Sequence, residues 1–488
     1  MNYADFIRSK SQIGGMSGFE PLWMPDFLFD FQKHLVEWSI RHGRALIAAD
    51  CGLGKTPMQL VVGQNCAMKT DKPSLIITPL AVAYQTVREA EKFGMEAAVS
   101  RDGSIKSRIV VTNYERLHYF DPDDFGFVGG DEISCIKSFD GKRRKQVTRF
   151  LSKVKYRGGY TATAAPNDFI ELGTISEALG GLSQSDMIGT FFKSSDNMRH
   201  SLFKEGDFWN RAKYFFRAHS EAPFWRWVCS WARALRSPAD LGFDGSRFVL
   251  PPLNVEQHIV KTDWRPDGEL FVRVARTLAE QRQERKRTIN ERCERMAAMA
   301  NHNEPCICWC QYNPEGDLLE KLIPDAVQVA GCNSDDEKEE RLEGFATGKF
   351  RVLISKPKIA AFGMNYQHCG HQMFFPSHSF EQYYQAVRRS YRFGRVGPVK
   401  VDVIATEGEA GVTANLQKKQ VKADQMFTAL VRYMNDGMGI TVENKHVNKL
   451  EVPEWMGSGN GLTSGNGIDK LRECTTNHGS GRSTLRKG

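Results

Sequence analysis

Ala48-Ala49-Asp50-Cys51-Gly52-Leu53-Gly54-Lys55-Thr56, preceded by the apolar run Ala45-Leu46-Ile47, decides how the whole chain is read. A short buried strand, a glycine-rich turn and then Lys-Thr opening a helix form the arrangement that a nucleotide's phosphates need. Gly52 and Gly54 let the backbone curl so that successive N–H groups face the phosphates, and the helix N-terminus adds its positive end. Lys55 then reaches the β and γ phosphates, and the Thr56 hydroxyl holds Mg²⁺. The nucleotide-binding candidates are therefore Asp50, Cys51, Gly52, Leu53, Gly54, Lys55 and Thr56, with Ala49 standing where the P-loop pattern has its first glycine.

Upstream, Gln32 opens an amphipathic helix with Leu35, Trp38 and Ser39 at helical spacing. A glutamine carboxamide offers donor and acceptor together, which suits the N6 and N7 edge of adenine. Downstream, apolar runs return as strands between helix-length polar stretches, at Ser74 to Thr78, Arg108 to Thr112, Phe125 to Gly129 and Tyr156 to Thr163. That alternation predicts a parallel sheet with functional loops at the strands' carboxyl ends. At one such end stands Asp131-Glu132-Ile133-Ser134, where Asp131 can share Mg²⁺ with Thr56 and Glu132 can orient or deprotonate an attacking water.

At 488 residues the chain is too long for one core, and no repeat of 20 to 50 residues occurs. A net charge of +8 and a pI near 8.8 fit either a polyanion-binding surface or a basic enzyme. Eleven cysteines without paired spacing predict buried thiols in a reducing compartment. Cys306, Cys308 and Cys310 alternate as on a strand, a spacing that lacks the two-residue gap of zinc knuckles. No run of about 18 apolar residues and no signal-peptide core is present. The expectation is a soluble, intracellular protein with no membrane partner.

Between Asp168 and Arg247 the alternation breaks into a stretch rich in Phe, Trp, Arg and Lys, and Phe224 to Arg236 is expected to be one aromatic-faced helix. A long helical stretch follows from Asp267 to about Met299, and then strands recur at Cys306 to Cys310, Ala326 to Val329, Arg351 to Ser355, Gln372 to Phe375 and Val399 to Ile404. Ser334 and Glu337 form a capping box. Gln385, Arg388, Arg389 and Arg392 fall on one helical face, and two arginines so placed can neutralise charge developing on a γ-phosphate. Beyond Leu450 the Ser- and Gly-rich end is expected to be a flexible tail.

In order and spacing, D-C-G-L-G-K-T, Thr78-Pro79-Leu80, Thr112-Asn113-Tyr114-Glu115, D-E-I-S, Thr161-Ala-Thr-Ala-Ala-Pro166 and Gln385-Ala-Val-Arg-Arg-Ser-Tyr-Arg392 resemble the motifs of superfamily 2 helicases. The resemblance runs over residues 20 to 430 and is strongest to the Swi/Snf-like DNA translocases, in the compact form encoded by bacteriophages and prophages. It implies an α/β fold of two tandem RecA-like parallel-sheet domains, a helical insert and a flexible C-terminal tail. The boundaries expected are 1–167 for the first domain, 168–247 for the insert, 248–300 for a crossover and linker helix, 301–450 for the second domain and 451–488 for the tail.

The same resemblance makes Lys55, Asp131, Glu132, Arg389 and Arg392 catalytic and adds Gly363 to the nucleotide site. Pro79, Leu80, Thr112, Asn113 and Lys356 become grips on a nucleic-acid backbone. The function implied is an ATP- and Mg²⁺-dependent helicase/translocase on nucleic acid, double-stranded DNA first. An RNA helicase and a non-motor, ATP-gated DNA clamp remain as alternatives.

Overall fold

The computed structural model describes residues 16–79, 82–136, 141–163, 169–194, 214–261, 278–361, 364–377 and 379–438. Its first sheet is built from β1 Arg44–Ala49, β2 Ser74–Thr78, β3 Ala97–Val99, β4 Ile109–Asn113, β5 Phe127–Asp131 and β6 Tyr156–Thr161. The aromatic segment supplies a small antiparallel pair, β7 Phe192–Ser194 and β8 Tyr214–Phe216, and then β9 Ala232–Leu235. The sheet order is β3-β4-β2-β5-β6-β1-β9, with seven strands, every pairing parallel.

The second sheet comprises β10 Leu253–Val260, β11 Cys306–Trp309, β12 Ala326–Val329, β13 Val352–Ser355, β14 His371–Phe374 and β15 Val399–Thr406. Six strands run in the order β10-β15-β14-β11-β13-β12, again all parallel. Two parallel α/β sheets in tandem are what the alternation of strands and helices predicts, and they match the RecA-like pair that the resemblance implies. Strands β2, β5, β11 and β13 are buried along their whole length, which is why they read as continuous apolar runs rather than alternating ones.

Two expectations change, the first about the aromatic segment. Phe224 to Arg236 is not one helix: the helix Glu221–Cys229 stops, and β9 then pairs with β1. The edge of β1 offers unpaired backbone groups, and satisfying them outweighs continuing a helix. The aromatics themselves are core, with Phe224, Trp225, Trp227 and Trp231 buried beneath the first sheet.

The second change concerns the end of the described chain. The helix Ala410–Met438 follows β15 yet packs on the first lobe, placing Met426, Phe427 and Leu430 in the same core as Trp225. Arg236 pairs with Asp424 at 2.5 Å along this contact.

The predicted linker helix is two helices where it is described, Leu278–Arg287 and Ile289–Met299, and residues 262–277 lie outside the described residues, as does the expected tail 451–488. The Ser334 capping box is present and opens the helix Asp335–Ala346, with Ser334 and Glu337 each accepting from the other's N–H. Cys306, Cys308 and Cys310 are buried thiols, and among the described residues they form no cluster spaced to hold a metal ion. Among those residues no helix is long and apolar enough to cross a membrane.

Candidate nucleotide cleft between the two lobes

The turn after β1 takes its shape from two glycines. Gly52 and Gly54 sit at φ 89° and 77°, a region that side chains resist. Both also meet close neighbours: a Cβ on Gly52 would lie 2.8 Å from the Phe393 nitrogen, and one on Gly54 would lie 2.2 Å from Gln32 Nε2. Lys55 opens the helix Lys55–Thr70, and its Nζ donates to the carbonyls of Ala49 at 2.9 Å and Asp50 at 3.4 Å, curled over the loop.

Across this loop stand Asp131 and Glu132 at the end of β5, both buried. Glu132 has φ 49°, a left-handed conformation that a non-glycine residue adopts at a cost, and such strain collects at functional sites. Its carboxylate accepts from Thr161 at 3.1 Å and from Gln385 of the second lobe at 3.2 Å. Tyr114 donates to the Asp131 carbonyl at 2.7 Å, tying the T-N-Y-E segment to the acidic pair. Burial first, and then the neighbouring Glu132 charge, push the Asp131 carboxyl up to about 7. Crowded carboxylates beside the Thr56 hydroxyl form the hard oxygen donor set that suits a divalent cation.

The second lobe closes the cleft. Arg389 lies 3.8 Å from Glu132 and donates to Gln385 at 2.8 Å. Lys55, Thr56, Asp131, Glu132, Arg389 and Arg392 all line one cleft. The sequence places Arg392 on the same helical face as Arg389, but the helix Phe380–Ser390 ends first, and Arg392 enters from the turn that follows it. Burial, and next the charge of Arg389, lower the Arg392 pKa. The Nε of each arginine is buried without a partner. Two under-satisfied guanidiniums facing Lys55 fit a polyanionic guest, such as a triphosphate with Mg²⁺ held by Thr56 and Asp131.

Several expected site residues do something other than predicted. The Gln32 carboxamide accepts from the Phe29 N–H at 3.0 Å and donates to the Leu53 carbonyl at 3.0 Å, so it braces the phosphate loop, a task the sequence reading did not give it. The Asp50 carboxylate faces the second lobe, where Arg388 holds it at 2.8 Å and Tyr384 donates at 2.7 Å. Cys51 and Leu53 are buried loop residues whose side chains anchor the turn.

Thr112 donates to the Ser100 carbonyl at 2.9 Å, and Asn113 caps the turn at Arg116 N at 3.0 Å, so both side chains shape the end of β4 instead of projecting as grips. Pro79 lies half-buried at the end of β2, and Lys356 follows β13 with its Nζ 2.5 Å from Asn313. Leu80 and Gly363 lie outside the described residues.

Sequence reasoning missed the inter-lobe anchor of Asp50 with Arg388 and Tyr384. It also missed an aromatic stack, in which Phe393 lies 4.5 Å from Phe248 and Phe248 lies 5.2 Å from Phe29, centroid to centroid. The helical period did signal Arg388, but nothing in the sequence names its partner.

Comparison with known proteins agrees with this geometry. A 144-residue stretch is 30% identical to YwqA of Bacillus subtilis strain 168, named as an ATP-dependent helicase/translocase, and spans 28% of this chain and 15% of YwqA. The chain is similar to helicase/translocases. Protein p41 of Acyrthosiphon pisum secondary endosymbiont phage 1 is 24% identical over 422 residues, covering 76% of this chain and 88% of p41.

Similarity to a helicase/translocase and to a phage protein thus stands on comparison, beside the motifs. The Sulfolobus solfataricus SWI2/SNF2 ATPase core in complex with dsDNA is 16% identical and covers 86% of this chain and 96% of that one, at a TM-score of 0.38 too loose to carry an argument. No protein-family model matches the chain.

Proposed function

We propose that the chain is an ATP-driven motor of the Swi/Snf-like branch that moves along double-stranded DNA. The observation that carries this reading is the single cleft in which Lys55, Asp131 and Glu132 of one lobe meet Arg389 and Arg392 of the other. In it, the loop from Asp50 to Thr56 cradles the phosphates, with Lys55 and the two arginines balancing their charge. Thr56 and Asp131 would hold Mg²⁺, which would supply positive charge opposite the phosphates. Glu132, held by Thr161 and Gln385, orients the attacking water and takes its proton. Because Gln385 and Arg389 touch Glu132 only while the lobes are together, hydrolysis and lobe closure are one event.

In this reading 1–167 and 301–450 are the two motor domains, 168–247 is an insert that completes the first sheet, 248–300 crosses over and 451–488 is a tail. Pro79, the turn shaped by Thr112 and Asn113, and Lys356 lie at strand ends where a backbone would be gripped, with Leu80 and Gly363 assigned by resemblance alone. A clamp that merely senses ATP has no need of Glu132 and two fingers. ATP hydrolysis measured with duplex DNA, single-stranded DNA and RNA tests the proposal: duplex DNA is expected to stimulate most, and stimulation by RNA alone would replace the DNA motor with an RNA helicase.

A further inference from the structure

Away from the nucleotide cleft, the lobes also meet through charges. The helix Asp335–Ala346, which follows β12, carries Asp335, Asp336, Glu337, Glu339, Glu340 and Glu343 against Lys338 and Arg341. Three arginines of the first lobe face it. Arg88 pairs with Glu343, Arg101 lies 3.3 Å from Asp336 and 3.7 Å from Glu339, and Arg116 lies 4.0 Å from Asp335. Tyr84, one turn before Arg88, supports the Arg101 guanidinium at 5.4 Å from its ring.

The sources of these arginines matter. Arg101 follows β3, Arg116 follows β4 and Arg88 lies on the helix after β2, three adjacent strands of a parallel sheet. Their carboxyl ends are where such sheets bind ligands. On the second lobe, the acidic helix follows β12 and Lys356 follows its parallel neighbour β13, so both leave the same edge of the sheet. The end of β4 meets the first turn of that helix, where Arg116 lies 4.0 Å from Asp335.

We propose that Arg88, Arg101 and Arg116 form a phosphodiester-binding row that the acidic helix Asp335–Ala346 occupies in this structure, so that nucleic acid and helix compete for the same guanidinium groups. The inference rests on the nucleic-acid reading above. The Arg88, Arg101 and Arg116 side chains are 51%, 43% and 25% exposed, and their partners Glu343, Asp336, Glu339 and Asp335 are 42%, 82%, 35% and 46% exposed. Exposed pairs of this kind are individually weak and screened by salt. A polyanion that gains by releasing condensed counterions can displace them. Arginine's planar fork accepts a carboxylate or a phosphate with the same geometry, so the exchange needs no rebuilding of the first lobe.

The test is equilibrium binding of a short fluorescent DNA duplex to the full chain, without ATP, across a series of salt concentrations. The variant Asp335→Asn/Asp336→Asn/Glu339→Gln/Glu343→Gln is expected to bind at least about fivefold more tightly at low salt. A charge-matched control, Glu291→Gln/Glu294→Gln/Glu304→Gln/Asp325→Asn, gains clearly less. The variant Arg88→Gln/Arg101→Gln/Arg116→Gln is expected to bind more weakly, with a log K against log salt slope shallower by roughly 2 to 3, as loss of three phosphate contacts requires.

Duplex binding that is the same in wild type and both variants, or an acid-neutralised variant that gains no more than its control, overturns the competition while leaving the motor reading intact. Binding by the acid-neutralised variant alone supports a complete mask. Absence of binding to duplex, single strand and RNA in every form overturns both readings.

Discussion

Asp131 shows how much one position can report. An ordinary carboxyl in an unfolded chain loses its proton near pH 4, whereas burial and Glu132 hold this one up to about 7. Between those values the folded protein keeps a proton that the unfolded chain releases. Ionising Asp131 therefore costs stability as pH rises, and the cost is complete above about 7. The displacement is worth at most roughly 4 kcal/mol.

Asp131→Asn should consequently raise the melting temperature of the nucleotide-free protein by a few degrees at pH 8 and hardly at all at pH 4. Mg²⁺ with ATP should stabilise the wild type more than the variant. Thermal melts at the two pH values check this, and equal shifts at both would show that the carboxylate is not under strain. The acidic pair was legible in the sequence because a strand's end and a P-loop upstream fixed its meaning. The roles of Thr112, Asn113 and Gln32 were not, since each side chain was free to bond to the backbone around it, and only the fold shows that it does.

Among the elements, the strands are the most legible and the aromatic segment the least. β2 and β12 fall on the residues expected; β2 is a fully buried parallel strand that leaves a continuous apolar run, while β12, half-buried up to Val329, is marked by its β-branched valines. β9 was hidden inside a helix-like pattern, since Ala232-Arg-Ala-Leu235 has no strong preference and the free edge of β1 makes the choice. The helix Ala410–Met438 had no sequence signal for its return to the first lobe.

Trp225 joins these pieces, being 1% exposed and packed with Phe169, Phe224 and Tyr433. Trp225→Ala should destabilise the first lobe by about 3–5 kcal/mol, read as a lower urea midpoint by circular dichroism. A loss below about 1 kcal/mol would mean that the contact with the C-terminal helix is superficial.

At the scale of the whole molecule, the lobes are held by three kinds of contact with different tasks. The Phe29, Phe248 and Phe393 stack supplies apolar area, and the buried Asp50 to Arg388 pair fixes register, since either charge left alone would be costly. The arginine row facing the acidic helix is exposed and exchangeable. Only the last can be traded for an external polyanion, as the motor proposed above requires.

The central claim is that one triphosphate is shared between the lobes. It is tested most directly by the turnover number of Arg392→Ala for ATP hydrolysis with duplex DNA present, measured beside its affinity for ATP. The variant is expected to bind ATP within a few-fold of wild type and to turn it over roughly 10³-fold more slowly, the worth of an arginine finger. Turnover within twofold of wild type would contradict the account.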